Sequence, residues 1–207
     1  VDGLLPNLLL LLEHPHVYTL GRRGKASDIL ADPQTLSKLG AQVHLIDRGG
    51  EVTYHGPGQL VGYPIVNLRA SASGPLKYVR ALVHVLIDTL AEFGIQAYCD
   101  DMPTGVWADE AKIASIGVKV SQGVTMHGFA LNVNPDLSYF DHIVPCGMPS
   151  VRVTSMSLLL SNQVGVEDII PVLSRRFGQN FGWMMEWSTL QALDSLSPPK
   201  GEISAQQ

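Results

Sequence analysis

Cys146 is the residue of this sequence best suited to nucleophilic chemistry, and Lys112, His127 and His142 are the residues that could activate it. Cys146 lies in the segment VPCGMP, residues 144–149, where prolines restrict the backbone and a glycine leaves one side of the sulfur uncrowded. A free thiol ionises at about pH 8.5, so a cysteine nucleophile needs solvent access and a neighbouring cation. Cys146 is therefore a candidate nucleophile. Cys99 follows the apolar residues 95–98 and is typical of a packing residue at a strand or strand edge.

Three residues compete to activate this thiol. Lys112 begins the segment KIASIGV, whose other side chains are small or apolar, and its ammonium group would favour the thiolate. A lysine at the end of a strand is, however, often a surface residue whose ammonium group reaches solvent. His127 and His142 are the alternatives, because a cysteine–histidine pair is the commoner nucleophile design. The spacing of these residues does not choose among them.

A second chemical feature is the segment RGGEVTYHGPGQL, residues 48–60, which combines several glycines with Arg48, Thr53, Tyr54 and His55. A backbone without Cβ atoms can approach a ligand closely, and its N–H groups can bind a carbonyl, carboxylate or phosphate group. Two tight turns in a β-rich domain would also account for the glycines. The reactive side chains favour a binding loop.

Composition limits the classes of function. The chain has 207 residues, 45% of them apolar, and a formal net charge of −5. This size favours one substantial core, and the acidic balance argues against a general nucleic-acid binder. The sequence also lacks the glycine patterns of nucleotide-binding loops. We expect a local basic rim that can hold an acidic partner, drawn from Arg22, Arg23, Lys25, Arg48, Lys112, Lys119 and Arg152.

The two cysteines form neither a disulfide framework nor a zinc-binding spacing, which favours a reducing compartment. A metal site built from His14, His16 or His55 lacks a plausible fourth ligand, so we predict no metal and no other cofactor. The longest apolar run, residues 8–12, is too short to span a membrane. We expect a cytoplasmic protein, or an organellar one if a segment before Val1 carries a transit peptide.

The hydrophobic patterning predicts an α/β (α+β) fold. Helices are predicted over residues 76–93, ended by Gly94, and over residues 166–177, with a helical turn over residues 32–39. Strands are predicted over residues 8–13, 17–20, 43–46, 51–54, 62–68, 105–108, 112–121 and 124–133. A tight turn at Gln122-Gly123 favours an antiparallel or mixed sheet over a doubly wound parallel one. We expect one domain, residues 1–195, and a flexible tail, residues 196–207.

Six segments resemble the motifs of the octanoyltransferase (lipoyl(octanoyl) transferase) family, and they occur in the family's order. They are YTLGR (18–22), RGGEVTYHGPGQL (48–60), GVW (105–107), KIASIGV (112–118), TMHGFALNV (125–133) and PCG (145–147). The resemblance extends over most of residues 8–156. It implies the fold of the biotin and lipoate protein ligase catalytic domain, in which a mixed, largely antiparallel sheet is flanked by helices.

The resemblance also implies roles for individual residues. Cys146 would carry an acyl thioester, and Lys112 would lower the pKa of its thiol. The acyl-binding walls would be formed by Arg48, Gly49, Gly50, Glu51, Val52, Thr53, Tyr54, His55, Ser115, Ile116, Gly117, Gly128, Phe129 and Ala130.

The implied reaction is the first step of endogenous protein lipoylation. An octanoyl group would pass from octanoyl-acyl carrier protein, through the cysteine thioester, to a lysine of a lipoyl domain of 2-oxoacid dehydrogenase complexes or of glycine-cleavage H protein. Three other functions share some of these features. An ATP-dependent lipoate or biotin ligase would need no nucleophilic cysteine, and a cysteine hydrolase would use His127 or His142 as its base. A non-catalytic carrier-binding module would tolerate changes at Cys146.

Overall fold

The computed structural model describes residues 6–69, 74–99, 104–144, 151–189 and 191–192. The segment 145–147, which contains Cys146, and the predicted tail over residues 196–207 lie outside the described residues. No helix in the described ranges is long and apolar enough to cross a membrane.

In the described ranges, eight strands form two sheets. Their bounds are β1 Leu8–Leu12, β2 Val17–Leu20, β3 Gln42–Leu45, β4 Val52–His55, β5 Gln59–Ile65, β6 Gly105–Ala108, β7 Ala111–Ser121 and β8 Val124–Asn132. The larger sheet has the order β1-β5-β8-β7-β6 and is antiparallel throughout. The smaller sheet has the order β3-β2-β4, in which β2 is parallel to β3 and antiparallel to β4. The predicted mixed, largely antiparallel arrangement is confirmed.

Turn residues explain where the strands begin and end. Gln122 and Gly123 have φ angles of 50° and 81°, as a two-residue hairpin between β7 and β8 requires. Strand β5 begins earlier than predicted, at Gln59, because the chain turns at Gly58 with φ of 81° and Gln59 then pairs with Asn132. The prediction of a strand over residues 62–68 was therefore about three residues late.

In the part of the chain that the structure describes, four α-helices complete the fold: α1 Pro33–Lys38, α2 Pro75–Glu92, α3 Met156–Leu160 and α4 Val166–Phe181. Asp32 caps α1 by accepting a 2.7 Å hydrogen bond from the main-chain N–H of Thr35. Helix α4 runs past its predicted end until Gly182, whose φ is 69°. Helix α3 and a 3₁₀ helix at Leu137–His142 were not predicted, since neither is long enough for a hydrophobic period.

Two hydrophobic clusters, counted among the residues that the structure describes, hold the elements together. The larger one packs α2 and α4 against the larger sheet, through side chains such as Leu86, Leu173 and Leu131. The smaller one joins the smaller sheet to the 3₁₀ helix through Tyr18, Tyr54 and Phe140. The two sheets thus have separate cores, and space remains between them.

Candidate active site

A cavity of about 940 Å³ lies between the two sheets. Its walls come from β2 and β4 of the smaller sheet, from β5, β7 and β8 of the larger sheet, and from the start of α2. The predicted site residues that line it are Arg48, Gly49, Gly50, Glu51, Val52, Thr53, His55, Lys112, Ser115, Ile116, Gly117, Gly128, Phe129 and Ala130. Segments that are distant in the sequence therefore meet around one cavity, of the size that small-molecule sites commonly have.

Tyr54 is the predicted binding residue that does not line this cavity. Its side chain is fully buried in the smaller cluster, where the ring stacks on Tyr139 with a centroid distance of 4.9 Å. Its hydroxyl lies 2.8 Å from Nδ1 of His16. Burial raises the pKa of the Tyr54 hydroxyl. The ring packs in the smaller cluster, and the binding role of Tyr54 stays a prediction.

Lys112 lies in the wall of the cavity and is only 4% exposed. Lys112 lies on β7 next to a register shift in the pairing with β6. Val106 pairs with Ala114 but Trp107 pairs with Lys112, so Ile113 is an extra, unpaired residue of β7. Such a bulge changes the direction of the neighbouring side chains. The ammonium nitrogen lies 5.8 Å from the centroid of the Trp107 ring.

The chain on either side of residues 145–150 is held to the fold by main-chain hydrogen bonds. On one side, the N–H of Val144 donates to the carbonyl of Asp28 at 2.8 Å. On the other, the N–H of Lys112 donates to the carbonyl of Arg152 at 2.8 Å, and the N–H of Thr154 donates to the carbonyl of Lys112 at 3.0 Å. The segment after Cys146 therefore forms a short parallel bridge to Lys112 itself, with Val153 as its partner.

Arg48 places a positive charge beside the cavity. The guanidinium is held by Thr19, because Nη2 donates to the Thr19 carbonyl at 2.7 Å and to its hydroxyl at 2.9 Å. Nη1 donates to the carbonyl of Gly49 at 3.0 Å. The N–H of Gly49 in turn donates to the carbonyl of Val118 at 3.0 Å. The glycine-rich loop of the smaller sheet is thereby fastened to β7 of the larger one.

The two histidines that compete with Lys112 lie in different surroundings. His127 lines the cavity, but its Nε2 bonds to Asp47 at 2.7 Å, and its φ of 59° is unusual for a residue other than glycine. Asp47 also pairs with Lys119, and these two partners lower the pKa of the carboxyl to about 2. His142 lies at the end of the 3₁₀ helix and is not among the residues that line the cavity.

His55 and His14 meet on one wall, with ring centroids 5.9 Å apart. Burial lowers the pKa of His55 to about 4, and burial also lowers the pKa of His14. Nε2 of His14 bonds to the hydroxyl of Tyr63 at 2.6 Å. Sequence reasoning weighed His14 only as a metal ligand and did not consider Tyr63, although Tyr63 follows the glycine-rich segment by three residues.

The cavity also has an apolar wall of which sequence reasoning assigned only a part, including Ile116. It is formed by side chains that include Val61, Leu76, Val79, Ile116 and Val118. Alternation along the strands could have indicated that some of these residues share a face, but not that the face borders a cavity. Within the described ranges, no three side chains of histidine, cysteine, aspartate or glutamate come together as a metal site would require.

Comparison with known proteins identifies the family. The chain matches the lipoyl protein ligase A/B catalytic domain family over residues 1–178. It is 46% identical over 201 residues to an octanoyltransferase of Acidobacterium capsulatum, and the aligned region covers 90% of this chain and 82% of that relative. It is 47% identical over 193 residues to an octanoyltransferase of Gloeobacter violaceus, with coverage of 93% and 84%. The chain belongs to the octanoyltransferase family.

As a member of this family, the chain is an acyltransferase, and its fold is that of the lipoate protein ligases. A lipoate-protein ligase A bound with ATP superposes with a TM-score of 0.73 at 18% identity, covering 92% of this chain and 79% of that one. A bipartite lipoate protein ligase from Thermoplasma acidophilum gives a TM-score of 0.74 at 17% identity, covering 92% and 77%. At such low identity these likenesses confirm the predicted fold alone.

Proposed function

We propose that this chain transfers an octanoyl group from octanoyl-acyl carrier protein to a lysine of lipoyl domains and of glycine-cleavage H protein. The transfer passes through a thioester on Cys146. The thiolate attacks the carrier thioester and keeps the acyl group, and the carrier sulfur leaves as a thiol with a proton from Lys112. The lysine ε-amine then attacks the acyl-enzyme: a C–N bond forms, the C–S bond breaks, the amine proton passes to Lys112, and the thiolate is regenerated.

One observation carries this proposal: Lys112 is buried in the wall of the shared cavity and is paired with the segment that follows Cys146. Arg152, which bonds to Lys112, follows Cys146 by six residues, and six residues reach at most about 20 Å. That reach allows the thiolate and the ammonium group to come within about 4–6 Å of each other, the separation at which opposite charges stabilise each other.

The cavity also suits the proposed acyl group. Its apolar wall, formed by residues such as Val61, Val79 and Ile116, can bury an eight-carbon chain, which favours binding through the hydrophobic effect. Arg48 and the glycine-rich loop line the same space and offer polar groups to the thioester. The proposal of a cytoplasmic location rests on cysteine usage alone, because two cysteines without a disulfide framework are typical of a reducing compartment.

An ATP-dependent ligase is the alternative that the shared fold keeps open. Intact-mass measurement separates the two functions, since only the transferase should gain one octanoyl group from octanoyl carrier protein without ATP. The Cys146→Ala variant should gain none. Cys99, which is partly buried, provides the matched control: the Cys99→Ser variant should acylate like the parent chain. Acylation of Cys146→Ala, or a strict need for ATP, would contradict the proposal.

A further inference from the structure

A continuous chain of hydrogen bonds connects the main chain of Lys112 to the ring of His55. The N–H of Thr154 donates to the carbonyl of Lys112 at 3.0 Å. Nδ2 of Asn132 donates to the carbonyl of Thr154 at 3.0 Å, and Nε2 of Gln59 donates to Oδ1 of Asn132 at 2.8 Å. The chain ends where Oε1 of Gln59 lies 2.8 Å from Nδ1 of His55.

Every side chain in this series is buried. Gln59 is 2% exposed and Asn132 is 4% exposed, which is unusual for amide side chains. A buried amide without partners would destabilise the fold, whereas here each amide bonds on both sides. The series therefore has a single low-energy arrangement.

The direction of the series is fixed at the Thr154 carbonyl, because a main-chain carbonyl can only accept a hydrogen bond. Asn132 must turn its NH₂ group to that carbonyl, so its oxygen faces Gln59. Gln59 must then donate to Asn132, so its own oxygen faces His55. An amide oxygen can only accept, and Nδ1 of His55 must therefore carry the proton.

The tautomer of His55 leaves its other ring nitrogen, Nε2, as a hydrogen-bond acceptor. His55 lines the cavity, and Nε2 bonds to none of the residues that the structure describes. The charged and titratable groups that face this ring are Arg48, His14 and His127, and all three disfavour its protonation. Burial is the largest cause of the lowered pKa of about 4. The ring is thus neutral near pH 7.

We propose that Nε2 of His55 accepts a hydrogen bond from the incoming lysine amine and orients that amine towards the acyl thioester. Gln59 and Asn132 are positioning residues that hold His55 in the required tautomer. This inference rests on the proposed function, because the lysine is the acyl acceptor of that reaction. A neutral acceptor suits this role, since an imidazolium would repel a lysine ammonium group and could not accept from an amine.

Nuclear magnetic resonance of the full chain, labelled with ¹⁵N at histidine, tests the tautomer directly. We expect a protonated Nδ1 and an unprotonated Nε2 at His55, assigned by loss of the signals in His55→Asn. The near-isosteric variant Gln59→Glu places a carboxylate at Nδ1 and should raise the pKa of His55 by at least about one unit. A protonated Nε2 at neutral pH in the parent chain, or an unchanged pKa in Gln59→Glu, would overturn the inference.

Single-turnover kinetics test the role in catalysis. Cys146 is first loaded from a small octanoyl thioester, and discharge onto a lipoyl domain is then measured separately. His55→Asn keeps a polar group near Nδ1 but removes the acceptor at Nε2, so discharge should slow about tenfold, and clearly more than loading. His55→Gln places an amide oxygen near the position of Nε2 and should restore part of the discharge rate.

The control for these variants is His84→Asn, on the exposed face of α2, which should match the parent chain in both steps. Equal losses of loading and discharge in His55→Asn would indicate a structural role and overturn the inference. In Gln59→Glu, the discharge rate should also begin to fall at a higher pH than in the parent chain, because His55 then becomes protonated nearer neutral pH. Failure of Cys146 to load from octanoyl carrier protein would instead contradict the proposed function, and the tautomer measurement would still decide the state of His55.

Discussion

The side chain of Lys112 crosses directly over Gly105 on the neighbouring strand. A Cβ atom built on Gly105 would lie 2.3 Å from Cε of Lys112 and 2.9 Å from the carbonyl oxygen of Ala114. Real Cβ atoms do not approach other atoms so closely, so only glycine admits the lysine along its present path. The backbone of β6 therefore determines where the ammonium group lies, although it carries no reactive side chain there.

The first prediction follows from this contact. Gly105→Ala should displace the lysine side chain, slow alkylation of Cys146 at neutral pH, and destabilise the protein by about 1–3 kcal/mol through overpacking. Iodoacetamide kinetics and urea unfolding measure the two effects. Gly74→Ala is the matched control, because nothing lies within 4 Å of a Cβ at Gly74 and its φ is −71°. Alkylation at the parental rate in Gly105→Ala would mean that Cys146 does not depend on the position of Lys112.

The second prediction concerns the charge of Lys112. Lys112→Ala should raise the pKa of the Cys146 thiol, so the pH profile of alkylation should move to higher pH. Lys112→Arg should keep the thiolate but impair transfer to a lipoyl domain, because a guanidinium cannot release a proton near neutral pH. An unchanged profile in Lys112→Ala would transfer the activating role to His127 or His142.

A third prediction links the lowered pKa of His55 to stability. Its pKa is about 4 in the folded protein, against about 6.5 in an unfolded chain. Between these values the unfolded state binds more protons, so the free energy of unfolding should fall as pH decreases from 6.5 to 4, by on the order of 3 kcal/mol. Urea unfolding at pH 7 and pH 4.5 measures this loss. It should be smaller in His55→Asn than in His84→Asn, and equal losses in these two variants would refute the assignment to His55.

The fourth prediction concerns the basic rim. Arg22 and Arg23 are exposed on a turn that bonds to the loop 48–51, and Arg23 lines the cavity. An acidic carrier protein should be attracted by these charges, each worth roughly 0.2–1 kcal/mol. Reversal of both residues to Glu should raise the KM for octanoyl carrier protein and weaken the salt dependence of kcat/KM.

A small uncharged octanoyl thioester separates docking from pocket effects at this rim. Its transfer should be nearly unaffected by the reversal, because it has no acidic surface. Nε of Arg23 lies 3.6 Å from Oε1 of Glu51, so the charge of Arg23 is already partly compensated. Reversal of Arg22 alone should therefore retain most of the effect on the KM for the carrier protein. If both donors lose activity equally, Arg22 and Arg23 shape the cavity instead of docking the carrier.

Local sequence patterns were sufficient for most of the fold. The helical period over residues 76–93, the glycine after it and the Gln122-Gly123 turn specified α2 and the β7–β8 hairpin within one or two residues. Hydrophobic alternation and turn chemistry act over a few residues, so they can be read without a partner strand. Helix α3 and the 3₁₀ helix at Leu137–His142 were missed because their stability comes from contacts distant in the sequence.

The sequence by itself determined the family, the antiparallel hairpin and the chemical identity of the candidate residues, since these follow from residue types and their order. Only the tertiary structure decided which of them share a space. The bulge at Ile113 overrides simple alternation and sets the direction of Lys112. The tautomer of His55 depends on Gln59, Asn132 and the Thr154 carbonyl, which come from three separate segments. A proton's position is determined by such a network, and no local pattern encodes it.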